Sequence, residues 1–122
     1  MTCKSLDEIF EAADIVSFHV PLQNDTIHYF NEQFIAAMRK PFILINTSRG
    51  AVVDTKALLQ GIKAGKVTGA CLDVFEQEPL AAKDAGELTT LPNVVVTPHI
   101  AGYTFEALYK MSKVLLDRIS DL

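Results

Sequence analysis

The chain has 122 residues, 49% of them apolar and 21% charged, with a net charge of −4 at neutral pH. This is enough for one domain with a real core, and with no basic cluster it argues against nucleic acid as a partner. No apolar run approaches the roughly 20 residues of a membrane span, no signal peptide opens the chain, and no membrane partner is expected. Cys3 and Cys71 stand alone in the sequence. Isolated cysteines point to a reducing, cytoplasmic setting rather than a disulfide scaffold. Cys71 lies in an apolar run and reads as a buried, inert thiol.

Ser5-Leu6-Asp7-Glu8 fits a capping box, and Leu6, Ile9, Phe10 and Ala13 then recur at helical spacing. Asp14 to Val20 reads as a strand that Pro21 stops. Gln23 to Thr26 is a polar loop. Asn31 caps a second helix carrying Phe34, Ile35 and Met38. Pro41 separates that helix from Phe42-Ile43-Leu44-Ile45, an apolar run that reads as a strand buried on both faces. Asn46 to Gly50 is a polar loop, and Asp54 caps a third helix through Leu58, Leu59 and Ile62, ended by Gly65. Val67 to Val74 is the third strand, followed by a long irregular loop from Phe75 to Pro92. Val94 to Thr97 is the fourth strand, with Pro98 after it. From about Thr104 the pattern is helical, with Leu108, Met111, Leu115 and Ile119 on one stripe.

Strands alternating with helices imply a four-stranded parallel sheet flanked by helices. The carboxyl ends of such strands share one edge, where ligands bind in open α/β sheets. The first strand brings His19 to that edge; the second brings Thr47, Ser48 and Arg49. The third brings Asp73, with Glu78 beyond it, and the fourth brings His99. A guanidinium can grip a carboxylate with paired donors. An imidazole titrates near neutrality, and a carboxylate such as Glu78 would orient it. The edge therefore suits an anionic substrate and a proton transfer. The blander reading of each residue also stands: a surface arginine, a hydrogen-bonded histidine, an aspartate capping a turn, a solvated loop acid. His28 reads as a surface residue. Metal-ligand spacing is absent, and the glycines never form G-x-G-x-x-G.

Four segments then carry a resemblance: ADIVSFHVPL at 13–22, INTSRGAVVD at 45–54, GACLDVFEQEP at 69–79 and TPHIAG at 97–102. In order and spacing they resemble the NAD-dependent D-isomer-specific 2-hydroxyacid dehydrogenases. The resemblance implies an oxidoreductase that moves hydride between NAD(H) and a small 2-hydroxy or 2-oxo acid. It implies His99 as acid/base, Glu78 as its partner and Arg49 as the group that binds the substrate carboxylate. Asp73 matches the aspartate that contacts the nicotinamide amide. Val20, Pro21, Thr26, Thr47 and Ser48 match cofactor-lining positions, with Arg49, His99 and Gly102 also bordering that site.

Against the family pattern, the glycine-rich first βαβ unit and the substrate domain have no counterpart in residues 1–122. The expected fold is the C-terminal half of a doubly wound, Rossmann-like sheet, a partial NAD-binding domain. Without the pyrophosphate cradle, weak or absent NAD binding by the isolated chain is expected. Strand 14–20 becomes an edge, which invites a homo-oligomer. Two other readings compete: a dinucleotide-responsive binding module of the corepressor type, and an inactive truncated reading frame.

Overall fold

Local chemistry starts each helix where the sequence places it. Ser5 caps α1 (Leu6–Ala12): its hydroxyl accepts from the Glu8 N–H, and the Glu8 carboxylate accepts from the Ser5 N–H at 2.9 Å. Asn31 caps α2 (Glu32–Ala37) by accepting from the Phe34 N–H at 3.0 Å. Asp54 caps α3 (Thr55–Lys63), accepting from Lys56 and Ala57. Just beyond α3, Gly65 takes a φ of 71°, the left-handed conformation that glycine adopts without strain. The computed structural model describes residues 4–78 and 86–120. Cys3 and Pro79 lie outside the described residues, as does the middle of the long loop. The described remainder of that loop forms a 3-10 turn at Leu88–Thr90 that buries Leu88.

Four parallel strands, β1 (Ile15–Phe18), β2 (Phe42–Asn46), β3 (Val67–Leu72) and β4 (Val94–Val96), lie side by side in chain order. Among the described residues β1 is thus an edge of the sheet. Helix α4 (Phe105–Ser120) closes the chain. The strand register aligns Val16, Leu44, Ala70 and Val94 in one row, and Phe18, Asn46, Leu72 and Val96 in another. Val16, Phe18, Leu44, Ala70 and Leu72 of these rows form a single core with Phe34 and Ile35 of α2 and Ala57, Leu58 and Ile62 of α3, and Val94 packs against it. The ring of Phe34 meets those of Phe10 at 5.0 Å, Phe30 at 5.5 Å and Phe18 at 5.8 Å, which ties α1 and the β1–α2 loop into it.

The opposite face differs. Ile15, Ile43 and Gly69 share a row there, and so do Ser17, Ile45, Cys71 and Val95. Ile15 is 57% exposed and Val95 60%. The expectation that β2 is buried on both faces is therefore corrected: Ile43 is exposed while Leu44 is fully buried. The physical reason is that α2 and α3 cover one side only. Cys71 is corrected for the same reason. It is a free thiol on the open face and only partly covered. The apolar stripe of α4 forms as expected, yet none of the helix's residues is buried. Among the described residues no helix is long and apolar enough to cross a membrane.

Candidate active site

The loop after β2 is shaped by Asn46, a buried side chain at the strand end. Its Oδ1 accepts from the Ser48 N–H at 3.1 Å and the Ser48 hydroxyl at 2.9 Å, and its Nδ2–H donates to the Arg49 carbonyl at 3.0 Å. This is the local turn an asparagine can close on its own backbone. Sequence reasoning missed Asn46 as the organiser. The signal was an amide residue between an apolar run and a small polar stretch. Arg49 stands exposed on this loop, with Nη1 donating to the Ser48 carbonyl at 2.7 Å.

Gly50 explains how two loops meet. A Cβ on it would stand 1.8 Å from the Phe75 carbonyl oxygen. Only a glycine lets the arginine loop and the loop after β3 cross at that distance.

Asp73, at the end of β3, is almost wholly buried. Its Oδ1 accepts from the Ile100 N–H at 2.9 Å and from the Thr97 hydroxyl, and its Oδ2 accepts from the Ala101 N–H at 2.9 Å. Burial pushes this carboxyl up, but the Thr97 hydroxyl, the two amides and nearby His99 outweigh it, so it titrates below the ordinary aspartate value. Asp73 thus holds the loop that carries His99. The His99 N–H also donates to the Asp73 carbonyl at 2.9 Å. His99 takes a φ of 55°, a left-handed conformation that costs free energy in a non-glycine residue and here is held by the loop around it.

The His99 ring meets Glu78, with Nδ1 and Oε2 2.7 Å apart. The other Glu78 oxygen accepts from the Phe75 N–H at 2.9 Å. Partial burial raises the Glu78 carboxyl, while the Phe75 amide and the His99 ring lower it more, so it lies below the ordinary glutamate value. An ionised carboxylate can only accept. Nδ1 must then carry the proton it donates to Glu78, which leaves Nε2 as the ring nitrogen not engaged by Glu78. Asp73, Phe75, Glu78, Val96, Thr97, Pro98 and His99 line a cavity of about 630 Å³.

Glu78, His99 and Asp73 are therefore brought together. Arg49 reaches the same sheet edge on the neighbouring loop but does not line the cavity. His19 is exposed at the end of β1, its Nε2 2.8 Å from the Ser17 hydroxyl, and is not part of that cavity either. The Thr26 hydroxyl donates to the Pro21 carbonyl and accepts from the Gln23 N–H, each at 2.8 Å, so it shapes the loop beyond Val20. Thr47 and Gly102 are exposed. His28 is exposed, as the surface reading has it, and its Nε2 lies 2.6 Å from Glu76 Oε1. No local spacing could announce a pair 48 residues apart. Among the described residues, no group of histidine, cysteine and carboxylate side chains could hold a metal.

The parallel sheet and its loops at the carboxyl edge define a Rossmann-like α/β domain that holds a carboxylate–imidazole pair at that edge. Residues 1–101 match the family model described as D-isomer specific 2-hydroxyacid dehydrogenase, NAD binding domain, and the chain belongs to that family. A glyoxylate reductase of Thermofilum pendens is 50% identical over 113 residues, covering 93% of this chain and 33% of the relative. A hydroxypyruvate reductase of Thermotoga maritima is 42% identical, covering 93% and 37%. The solved structure of a D-lactate dehydrogenase from Aquifex aeolicus, complexed with NAD and lactic acid, superposes with a TM-score of 0.79 at 38% identity, covering 96% of this chain and 39% of that one. The chain spans about a third of the length of the curated relatives it matches.

Proposed function

We propose that this chain supplies the acid/base half of the cofactor domain of an NAD-dependent D-2-hydroxyacid dehydrogenase that interconverts a small 2-oxo acid and its 2-hydroxy acid. The observation that carries this reading is the Glu78–His99 pair at 2.7 Å beside a cavity large enough for a small acid and a flat ring. In the reducing direction, His99 Nε2 gives its proton to the carbonyl oxygen of the substrate. Glu78 keeps Nδ1 protonated and fixes the ring's orientation. Arg49 swings from the Ser48 carbonyl to grip the substrate carboxylate. The reverse reaction returns the proton to Nε2.

The cavity fits the nicotinamide end of NAD. Asp73 and Thr97 border it with polar atoms, and Val96, Pro98 and Phe75 offer flat apolar contacts. Thr47, Ser48 and Gly102 would flank the cofactor, with Val20, Pro21 and Thr26 on the β1 side. When bound, NADH supplies the hydride that the carbonyl carbon takes up. The residues do not fit the pyrophosphate, for which residues 1–122 hold no glycine-rich turn. Pairing of β1 with a second copy is the proposed route of assembly, since among the described residues its outer edge has no neighbouring strand in the sheet.

The test is a fluorescence titration of the purified chain with NADH, alone and with pyruvate, hydroxypyruvate or glyoxylate. Weak or absent binding to the chain alone is expected. Saturable NADH consumption would establish a working site, and His99→Gln must then abolish it. Saturable binding of NADH unaffected by any 2-oxo acid, with no turnover, would favour the dinucleotide-responsive module instead.

A further inference from the structure

Glu76 lies two residues before Glu78 and makes none of the contacts of the acid/base pair. One of its oxygens meets His28 Nε2 at 2.6 Å. The other accepts from the Thr55 N–H at 3.0 Å and from the Thr55 hydroxyl. Thr55 opens α3, so this carboxylate holds one otherwise free N–H where the helix dipole favours negative charge. His28 takes a φ of 48° and donates its backbone N–H to the Ala51 carbonyl at 2.8 Å. Strain of that kind persists only where the surroundings over-determine it. Next to it, Phe30 and Val53 form a parallel bridge. Three segments therefore converge on one carboxylate: residues 28–30, residues 51–55 directly after Arg49 and Gly50, and residues 75–76 directly before Glu78.

We propose that Glu76 is a positioning residue, which His28 and the first turn of α3 hold in place so that the backbone crosses Gly50 and delivers Glu78 to His99. The proposal rests on the acid/base reading of the Glu78–His99 pair. Two features make the placement mechanical rather than incidental. Phe75 lies on Gly50 with no space for a methyl group, so the 75–76 backbone has one seat. The same Phe75 then donates its N–H to Glu78, so a shift of the seat moves the acid itself. The device also couples the arginine loop to the acid loop, because its anchors lie within a few residues of Arg49. A histidine–carboxylate pair on the surface does not by itself require this. An exposed pair contributes little to stability by itself, and its effect here is on geometry.

The test is carbon-detected NMR titration of the glutamate side-chain carboxyls, with amide hydrogen exchange, on the full 122-residue chain. In Glu76→Ala, the Glu78 midpoint is expected to rise towards the ordinary glutamate value, and the Phe75 amide to exchange about tenfold faster. The sheet amide of Leu44 should keep its protection. The sign is diagnostic. Removing a neighbouring negative charge would by itself lower the Glu78 midpoint, so a rise reports lost positioning. Glu76→Gln, which can still accept from Thr55, should recover part of the change. If Glu76→Ala costs the sheet its protection, His28→Gln decides through Phe75 exchange, which should quicken. Unchanged Phe75 exchange there, or an unchanged or lowered Glu78 midpoint in a folded Glu76→Ala chain, overturns the proposal. His99→Gln separates this from the proposed function. If the Glu78 midpoint ignores loss of the imidazole, the acid/base pairing itself fails, whatever Glu76 does.

Discussion

The two faces of the sheet are built from similar residues and meet opposite surroundings. Val16, Leu44 and Ala70 are buried beneath α2 and α3, whereas their neighbours along the same strands, Ile15, Ile43 and Cys71, are open or half-open. Side chains alternate between faces along a strand, so one residue separates core from surface. The contrast teaches that apolar composition marks where burial is possible, while the covering elements decide where it happens. Helix α4 makes the same point. It carries an apolar stripe of the kind α3 buries, and buries none of it. Large exposed apolar surfaces of this sort mark sites of association.

The sharpest way to break the comparison is a pair of neighbouring substitutions. Leu44→Ala removes a fully buried side chain and should cost about 2–5 kcal/mol, enough to unfold much of a marginal domain. Ile43→Ala, one residue away on the open face, should cost well under half of that. Urea unfolding of both variants checks the difference, and equal costs would mean that the second face is covered in solution.

A smaller effect tests the edge that both faces share. Gly50→Ala places a methyl group on the Phe75 carbonyl and should destabilise by about 1–3 kcal/mol through overpacking. Its loss should exceed that of Gly102→Ala, because a Cβ at Gly102 meets nothing within 4 Å. Thermal unfolding of the two variants side by side gives the answer.

Acid should expose the next term. Asp73 and Glu78 both titrate below their ordinary values in the folded chain. A carboxyl depressed on folding contributes stability above its unfolded value, about 4, and that contribution is lost as pH falls through the folded value. The urea midpoint should therefore hold from neutral pH down to about 5 and drop below about 4. Asp73→Asn should start lower at neutral pH and fall less steeply, since the Ile100 and Ala101 amides then lose a charged acceptor. A wild-type slope that survives unchanged in Asp73→Asn would remove this residue from the acid response.

The smallest expected effect on stability is also the one most specific to the open face. Ile43→Thr with Val95→Thr should change stability by no more than about 1 kcal/mol, because both side chains are already exposed. The double variant should nevertheless bind less hydrophobic dye and scatter less light at high concentration. If scattering is unchanged, association runs along the β1 edge instead.

Much of this was legible in the sequence because it depends on near neighbours. Ser5 with Glu8, Asn31 with Phe34, and Asp54 with Ala57 are contacts three residues apart, and the caps appear where the pattern placed them. The strands followed from apolar runs bounded by proline and small polar residues. Glu78 and His99 could be suspected because parallel strands must deliver their carboxyl ends to one edge. Asp73 was legible only as a choice between capping a turn and meeting a ligand; the structure shows it holding the 97–101 turn. His28 was legible as a surface residue, but its pairing with Glu76 was not, since the two lie 48 residues apart.

By itself, then, the sequence determined the order of elements, their caps, the parallel sheet and the short list of side chains at its carboxyl edge. Each of these follows from local propensity or from a connection rule that needs no coordinates. Only the tertiary structure decided which sheet face α2 and α3 cover, how the Gly50 and Phe75 backbones cross, and that Glu76 binds His28 and Thr55 at once. Those depend on distances between segments far apart in the chain, and residue spacing along one dimension does not encode them.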